Sequence, residues 1–194
     1  MTEPVTLRQL TGLPDAPAAL GDSTLVMIDC QNTYTEGVLE LDGVQPALDA
    51  AATLLDRART AGTPIVHIMH DAGVGTPYDV SARIGQIVDR VAPRGDEKVI
   101  VKNFPNSFVG TELDETLKAL GHDKLLLAGF MTHMCINSSA RGAFSLGYQP
   151  TVVASATATR RLPDADASAL QVASLAAISD LFGVVAPDVA AIPD

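Results

Sequence analysis

Three residues in this chain of 194 have types that could do nucleophilic chemistry together: Asp29, Lys102 and Cys135. Cys135 stands where the apolar run Leu125-Leu126-Leu127-Ala128-Gly129-Phe130-Met131 gives way to Thr132-His133-Met134, with Ile136-Asn137-Ser138-Ser139-Ala140 after it. A thiol at a helix start is where a protein most easily makes a thiolate, because unpaired N–H groups and the positive dipole end stabilise the anion. Asp29 follows the apolar run Thr24-Leu25-Val26-Met27-Ile28, and Lys102 follows Val99-Ile100-Val101. In such a set the sulfur attacks, the lysine acts as a point charge that favours the anion, and the carboxylate takes the thiol proton and later returns it to a leaving group. Each residue also has a plain structural reading. Cys is a frequent core residue, an Asp after a strand often caps a turn, and a lysine is often merely solvated. The three are separated by 73 and 33 residues, so only the fold can bring them together.

The elements that would do so are legible in the hydrophobic pattern. Short apolar runs over 24–28, 64–69, 98–101, 124–128, 151–154 and, weakly, 183–185 read as strands. Their apolarity is continuous rather than alternating, which argues for strands covered on both faces. Between them, 44–61, 80–91, 111–120, 133–146 and 165–182 read as helices. Gly62, Gly121 and Gly147 serve as stop signals, and Thr111 with Asp114 comes close to a capping box. Strand and helix alternate, so the class is α/β: a single-domain, Rossmann-like three-layer sandwich with a mainly parallel six-stranded sheet and helices on both faces. The domain covers 21–194, and 1–20, with Pro14 and Pro17, reads as a surface arm. Ligands of such a sheet bind beyond the carboxyl ends of its strands. The positions to watch are therefore Asp29-Cys30-Gln31, His70-Asp71, Lys102-Asn103, the turn from Thr132 to Cys135, and 155–159.

Composition narrows the function classes. Hydrophobic residues make up 47% and aromatics only 4%, so the core is aliphatic. A net charge of −10 argues against nucleic-acid binding, which needs clustered Lys and Arg. Two cysteines are no disulfide framework, residues 1–17 lack a signal-peptide core, and no apolar run is long enough to span a membrane; a cytoplasmic location is expected. Neither a Gly-x-Gly-x-x-Gly after the first strand nor a Walker loop is present, which argues against a dinucleotide or nucleotide module.

Three segments resemble the isochorismatase-like cysteine hydrolases, the group that includes nicotinamidases and related amidases. Asp29-Cys30-Gln31-Asn32 with Tyr34 is similar to the family's Asp-x-Gln-Asn/Asp-x-Phe motif. Lys102 with Ser107-Phe108 and Thr111 is similar to its lysine segment, and Gly129-Phe130-Met131-Thr132-His133-Met134-Cys135-Ile136 to its Gly-x-x-Thr-Asp/Glu-x-Cys-Val segment. The similarity runs over about 21–186. It implies that Cys135 is the nucleophile, Asp29 the proton-transfer partner and Lys102 the cation. It further implies a non-proline cis bond at Phe130–Met131 and an oxyanion hole formed by the backbone N–H groups of Met131 and Cys135. The activity implied is hydrolysis of a small-molecule amide through a thioester, by a homodimer or homotetramer.

The chain also departs from family members. Nicotinamidases carry an Asp-x-His metal motif after the second strand, where this chain has His67-Ile68-Met69-His70-Asp71. Residues three apart in a strand point to opposite faces, so His67 and His70 cannot share an ion; no metal and no cofactor are expected. True isochorismatases cleave a vinyl ether and lack the cysteine, so Cys135 argues against that reaction. Gln31, Tyr34, Phe104, Phe108, Phe130 and His133 are candidates for the pocket, with loop packing as the alternative for the aromatics and helix capping for His133. Arg160-Arg161 reads as a solvated turn, with substrate-carboxylate binding as the sharper option, and Cys30 as a buried structural thiol. The rival from another class is a non-catalytic or small-molecule-binding assembly protein of the same fold.

Overall fold

The computed structural model describes residues 4–194. In chain order these form α1 (Leu7–Leu10), β1 (Ser23–Ile28), α2 (Val44–Ala61), β2 (Ile65–His70), β3 (Lys98–Lys102), α3 (Leu113–Leu120), β4 (Lys124–Phe130), α4 (Asn137–Ser145), β5 (Gln149–Ala158), α5 (Ala167–Ser179) and β6 (Val184–Ala186). The strands make one sheet in the order β3-β2-β1-β4-β5-β6, and all five neighbouring pairs are parallel. Parallel neighbours need crossovers, and helices supply all of them except the link from β2 to β3.

Helices on both faces explain the continuous apolar runs. On one face the α2 residues Leu48, Ala51, Leu54, Leu55 and Ala58 pack against Leu25, Met27, Leu126, Ala128 and Val153. On the other, Leu117 of α3, Ala140 and Ala143 of α4 and Ile178 of α5 pack against Val26, Ile28, Ile68, Ile100, Leu125 and Leu127. All six residues of β1 are buried, as befits a strand covered twice. Each fully buried Leu or Ile contributes roughly 1.5–3 kcal/mol relative to exposure. The chain winds from β1 outward to β3, then returns to place β4 on the other flank of β1. The reversal puts the switch point, and hence the crevice for a ligand, between the carboxyl ends of β1 and β4.

Two of the expected helices outside the site differ most from their sequence patterns. No helix forms over 80–91; two single 3₁₀ turns, Arg83–Gly85 and Asp89–Val91, stand there instead. Asp79 is the cause, because its carboxylate accepts from the N–H groups of Gly75 and Ser81 and from the Ser81 hydroxyl, and so competes with helix formation. The helix expected over 111–120 begins only at Leu113 without a capping box; Thr111 donates its hydroxyl to Ser107 O, and Asp114 accepts from Lys118 and Tyr148. The described residues of the arm are mostly exposed, as a surface arm would be, but they are tethered. Arg8 is buried, with Nη1 donating to Leu181 O and Nε to Pro14 O, and Ala18 N donates to Thr151 Oγ1. The arm residues from Pro14 to Ala18 lie along Lys124, Gln149 and Val184, the first residues of β4, β5 and β6.

Candidate active site

Asp29 stands one residue past β1 with φ +51°, a left-handed conformation that Asp adopts more readily than most residues. Its N–H still donates to Ile68 O, so the strand pairing continues up to the turn. Across the switch point Gly129 pairs with Ile28 at φ +120°, and a Cβ there would lie 1.9 Å from Ile28 O. Only glycine allows β4 to come this close, which sets the next turn of chain beside Asp29. The Phe130–Met131 peptide bond is cis. A π-helical turn, Thr132–Ile136, follows and hands the chain to α4. Cys135 therefore sits two residues ahead of α4, inside a π-turn, rather than in the first turn of a helix over 133–146.

Lys102 ends β3 and is paired in register with His70, which ends β2. Both point to the face that α4 covers, as do Ile68 and Ile100 two residues earlier. Lys102 Nζ lies 2.7 Å from Asp29 Oδ2, 3.4 Å from Cys135 Sγ and 3.1 Å from His70 Nδ1. Asp29, Lys102 and Cys135, 0%, 1% and 6% exposed, are thus gathered as the sequence pattern suggested.

The electrostatics depart from the expected thiolate. Burial pushes the Cys135 thiol up to about 12, the Asp29 carboxylate adds to the rise, and Lys102 offsets it only in part. Burial also raises Asp29, against the pull of Lys102. A thiolate here would be a second buried anion served by one ammonium, and an unpaired buried charge is costly. The resting site thus holds one ion pair and a neutral thiol. Although Lys102 is close, neither Asp29 oxygen receives a well-directed hydrogen bond, which leaves the carboxylate basic and open to a proton.

The remaining pocket candidates divide. Gln31 is fully buried and its amide is spent on the scaffold: Nε2 donates to His70 O and Gly85 O, and Oε1 accepts from His70 N. It aligns the end of β2 rather than lining a pocket. Tyr34 and Phe130 meet edge to face at 5.7 Å and are fully buried beneath the site. Phe108 stacks on Tyr148 at 5.9 Å in the packing outside α4, so loop packing accounts for it. Phe104 is 55% exposed. His133 caps nothing; its Nδ1 lies 2.5 Å from Thr159 Oγ1, tying the π-turn to the end of β5. Burial and the nearby Arg160 lower its pKa. The Arg160 Nε is buried without a partner, so this residue is less solvated than its sequence context suggested. His67 faces away from the site and hydrogen-bonds to Glu97 at 3.0 Å. Among the described residues no three His, Cys, Asp or Glu side chains gather as a metal set. Cys30 is buried with its thiol raised by burial, as expected of a structural cysteine.

Two further residues belong to the site, one of them, His70, already among the strand-end positions to watch. Tyr78, in the loop after β2, packs edge-on against His70 at 4.7 Å and bonds through its hydroxyl to Tyr34 at 3.2 Å. Nothing in Gly75-Thr76-Pro77-Tyr78 beyond a Gly/Pro loop following a strand points to that role.

Comparison with known proteins agrees with this arrangement. The family model described as the isochorismatase domain matches residues 23–186. A secreted isochorismatase effector of Verticillium dahliae is 35% identical over 91% of this chain and 93% of its own length. A maleamate amidohydrolase of Pseudomonas putida is 32% identical over 66% of this chain and 68% of its own. The crystal structure of an isochorismatase from Pseudomonas putida superposes with a TM-score of 0.93 at 38% identity, covering 97% of this chain and 99% of that one. The match spans β1 to β6 and takes in every residue of the buried Asp–Lys–Cys cluster, and the chain belongs to the isochorismatase family.

Proposed function

We propose that this chain hydrolyses the amide C–N bond of a small molecule, with Cys135 as nucleophile. The observation that carries this reading is the buried cluster at the switch point, with Lys102 Nζ 2.7 Å from Asp29 Oδ2 and 3.4 Å from Cys135 Sγ. A related protein named for amide hydrolysis, the maleamate amidohydrolase, supports the substrate class.

The thiol proton passes to Asp29 as sulfur attacks the carbonyl carbon, so the second anion never accumulates in the resting site. Lys102 stabilises the sulfur as it loses its proton. Oxyanion charge falls to the backbone N–H groups of Met131 and Cys135, a donor of this kind being worth roughly 2.7–4 kcal/mol in a transition state. Asp29 returns the proton to the departing amine or ammonia, leaving a thioester. Water then gives its proton to Asp29, attacks the thioester and releases the acid, and the thiol recovers its proton. Both histidines at β2 are engaged within the protein, His67 by Glu97 and His70 by Lys102.

The test is ammonia release from a panel of small primary amides that includes maleamate. The expected result is turnover of at least one, abolished by Cys135→Ala in a folded protein. Full turnover by Cys135→Ala would overturn the assignment. We also propose a homodimer or homotetramer. A cytoplasmic location fits two unpaired cysteines, and no helix among the described residues is long and apolar enough to cross a membrane. The Verticillium relative is named as secreted, so cell fractionation decides the location, and recovery from the medium would refute it.

A further inference from the structure

The Lys102 ammonium has three N–H bonds and no lone pair. Three acceptors surround it: Asp29 Oδ2 at 2.7 Å, Cys135 Sγ at 3.4 Å and His70 Nδ1 at 3.1 Å. Two of them belong to the proposed reaction, whereas the third has no role in it. Because the ammonium can only donate, His70 Nδ1 must be the bare nitrogen of a neutral ring that carries its proton on Nε2.

His70 is held as firmly as the reacting groups. Its backbone N–H donates to Gln31 Oε1 and its carbonyl accepts from Gln31 Nε2, both at 2.9 Å. Its ring packs edge-on against Tyr78 at 4.7 Å. Burial and the Lys102 charge depress its pKa below the ordinary 6.5, while Asp29 and Asp71 pull weakly the other way, so the imidazole is neutral at physiological pH. A side chain that merely filled space would not need two hydrogen bonds to its backbone and an aromatic brace to aim one lone pair at an ammonium.

We propose that His70 is a positioning residue of the hydrolytic reaction, whose neutral imidazole occupies one N–H of Lys102 and thereby keeps the ammonium in place beside Asp29, with a second N–H aimed at Cys135 Sγ. Without that acceptor the buried ammonium carries an unmet donor and is free to rotate away from sulfur. The proposal rests on the reading of Cys135 as nucleophile and adds to it a fourth residue from β2.

The test uses the full chain and iodoacetamide as probe, with alkylation of Cys135 followed by mass spectrometry and folding checked by circular dichroism. His70→Leu removes the acceptor; His70→Asn restores it, since Asn Oδ1 stands where Nδ1 stood. His70→Leu is expected to be alkylated at least tenfold more slowly than the natural chain, and His70→Asn to recover to within threefold of it. A merely structural role would not be rescued by a lone pair at one position. If His70→Leu fails to fold, His70→Gln replaces it, because its amide lies one bond too far out to meet Lys102. A natural rate in His70→Leu, or an Asn variant as slow as the Leu variant, overturns the proposal. The underlying reading fails differently, through a natural chain that is not alkylated at Cys135 or an active Cys135→Ala, and the proposal then falls with it.

Discussion

Asp29 is asked to accept a proton from a thiol of much higher pKa, and the structure equips it by withholding hydrogen bonds. Most buried carboxylates are satisfied by donors that acidify them; this one has a single ammonium beside it and neither oxygen well bonded. Its pKa is raised above the ordinary 3.8 by burial. Only the ionised form can take the thiol proton, so activity should rise as pH climbs through that raised value. A rate profile whose acid limb lies at or below 3.8 would contradict this account. Asp29→Asn should lower kcat by about 10²–10⁴-fold, the range of a lost general base. The types and strand-end positions of Asp29, Lys102 and Cys135 were readable in the sequence, because each follows an apolar run. The protonation state of Cys135 was not, because it depends on how completely the fold removes water. Nor were the partners of Gln31, whose amide bonds to residues 39 and 54 positions away.

At the level of elements, the site depends on two strands approaching more closely than side chains permit. Gly129→Ala would place a methyl 1.9 Å from Ile28 O at a φ of +120°. The strand ends would have to separate, at a cost of roughly 3 kcal/mol or more. The expected outcome is a lower unfolding midpoint in urea together with loss of Cys135 reactivity. A variant with natural stability would show that β4 can yield there. The strands themselves were legible to within two residues at each end, apart from β5, which runs on to Ala158 where the apolar run suggested an end at 154. The π-turn and the link between β2 and β3 were not legible. Helical periodicity registers spacing alone, whereas the outcome at 80–91 was decided by the Asp79 carboxylate and by Gly85, whose missing Cβ would lie 2.2 Å from Asp79 O.

For the whole molecule, a net charge of −10 makes association between copies costly wherever their charged surfaces meet. α5 offers an exception. Its 13 residues include no charge, and Val172 on its outer side is 69% exposed. Static light scattering at micromolar concentration should give a mass of two or four chains, and a single-chain mass would refute the oligomer proposed above. The two ends of the sheet carry different work. The reacting groups lie beyond the carboxyl ends of β1, β3 and β4, while the arm runs along the amino ends of β4, β5 and β6. Anchoring the protein to a solid support through that arm would therefore leave the catalytic edge facing the bulk solution, a ready orientation for a reusable immobilised catalyst or a surface-based assay.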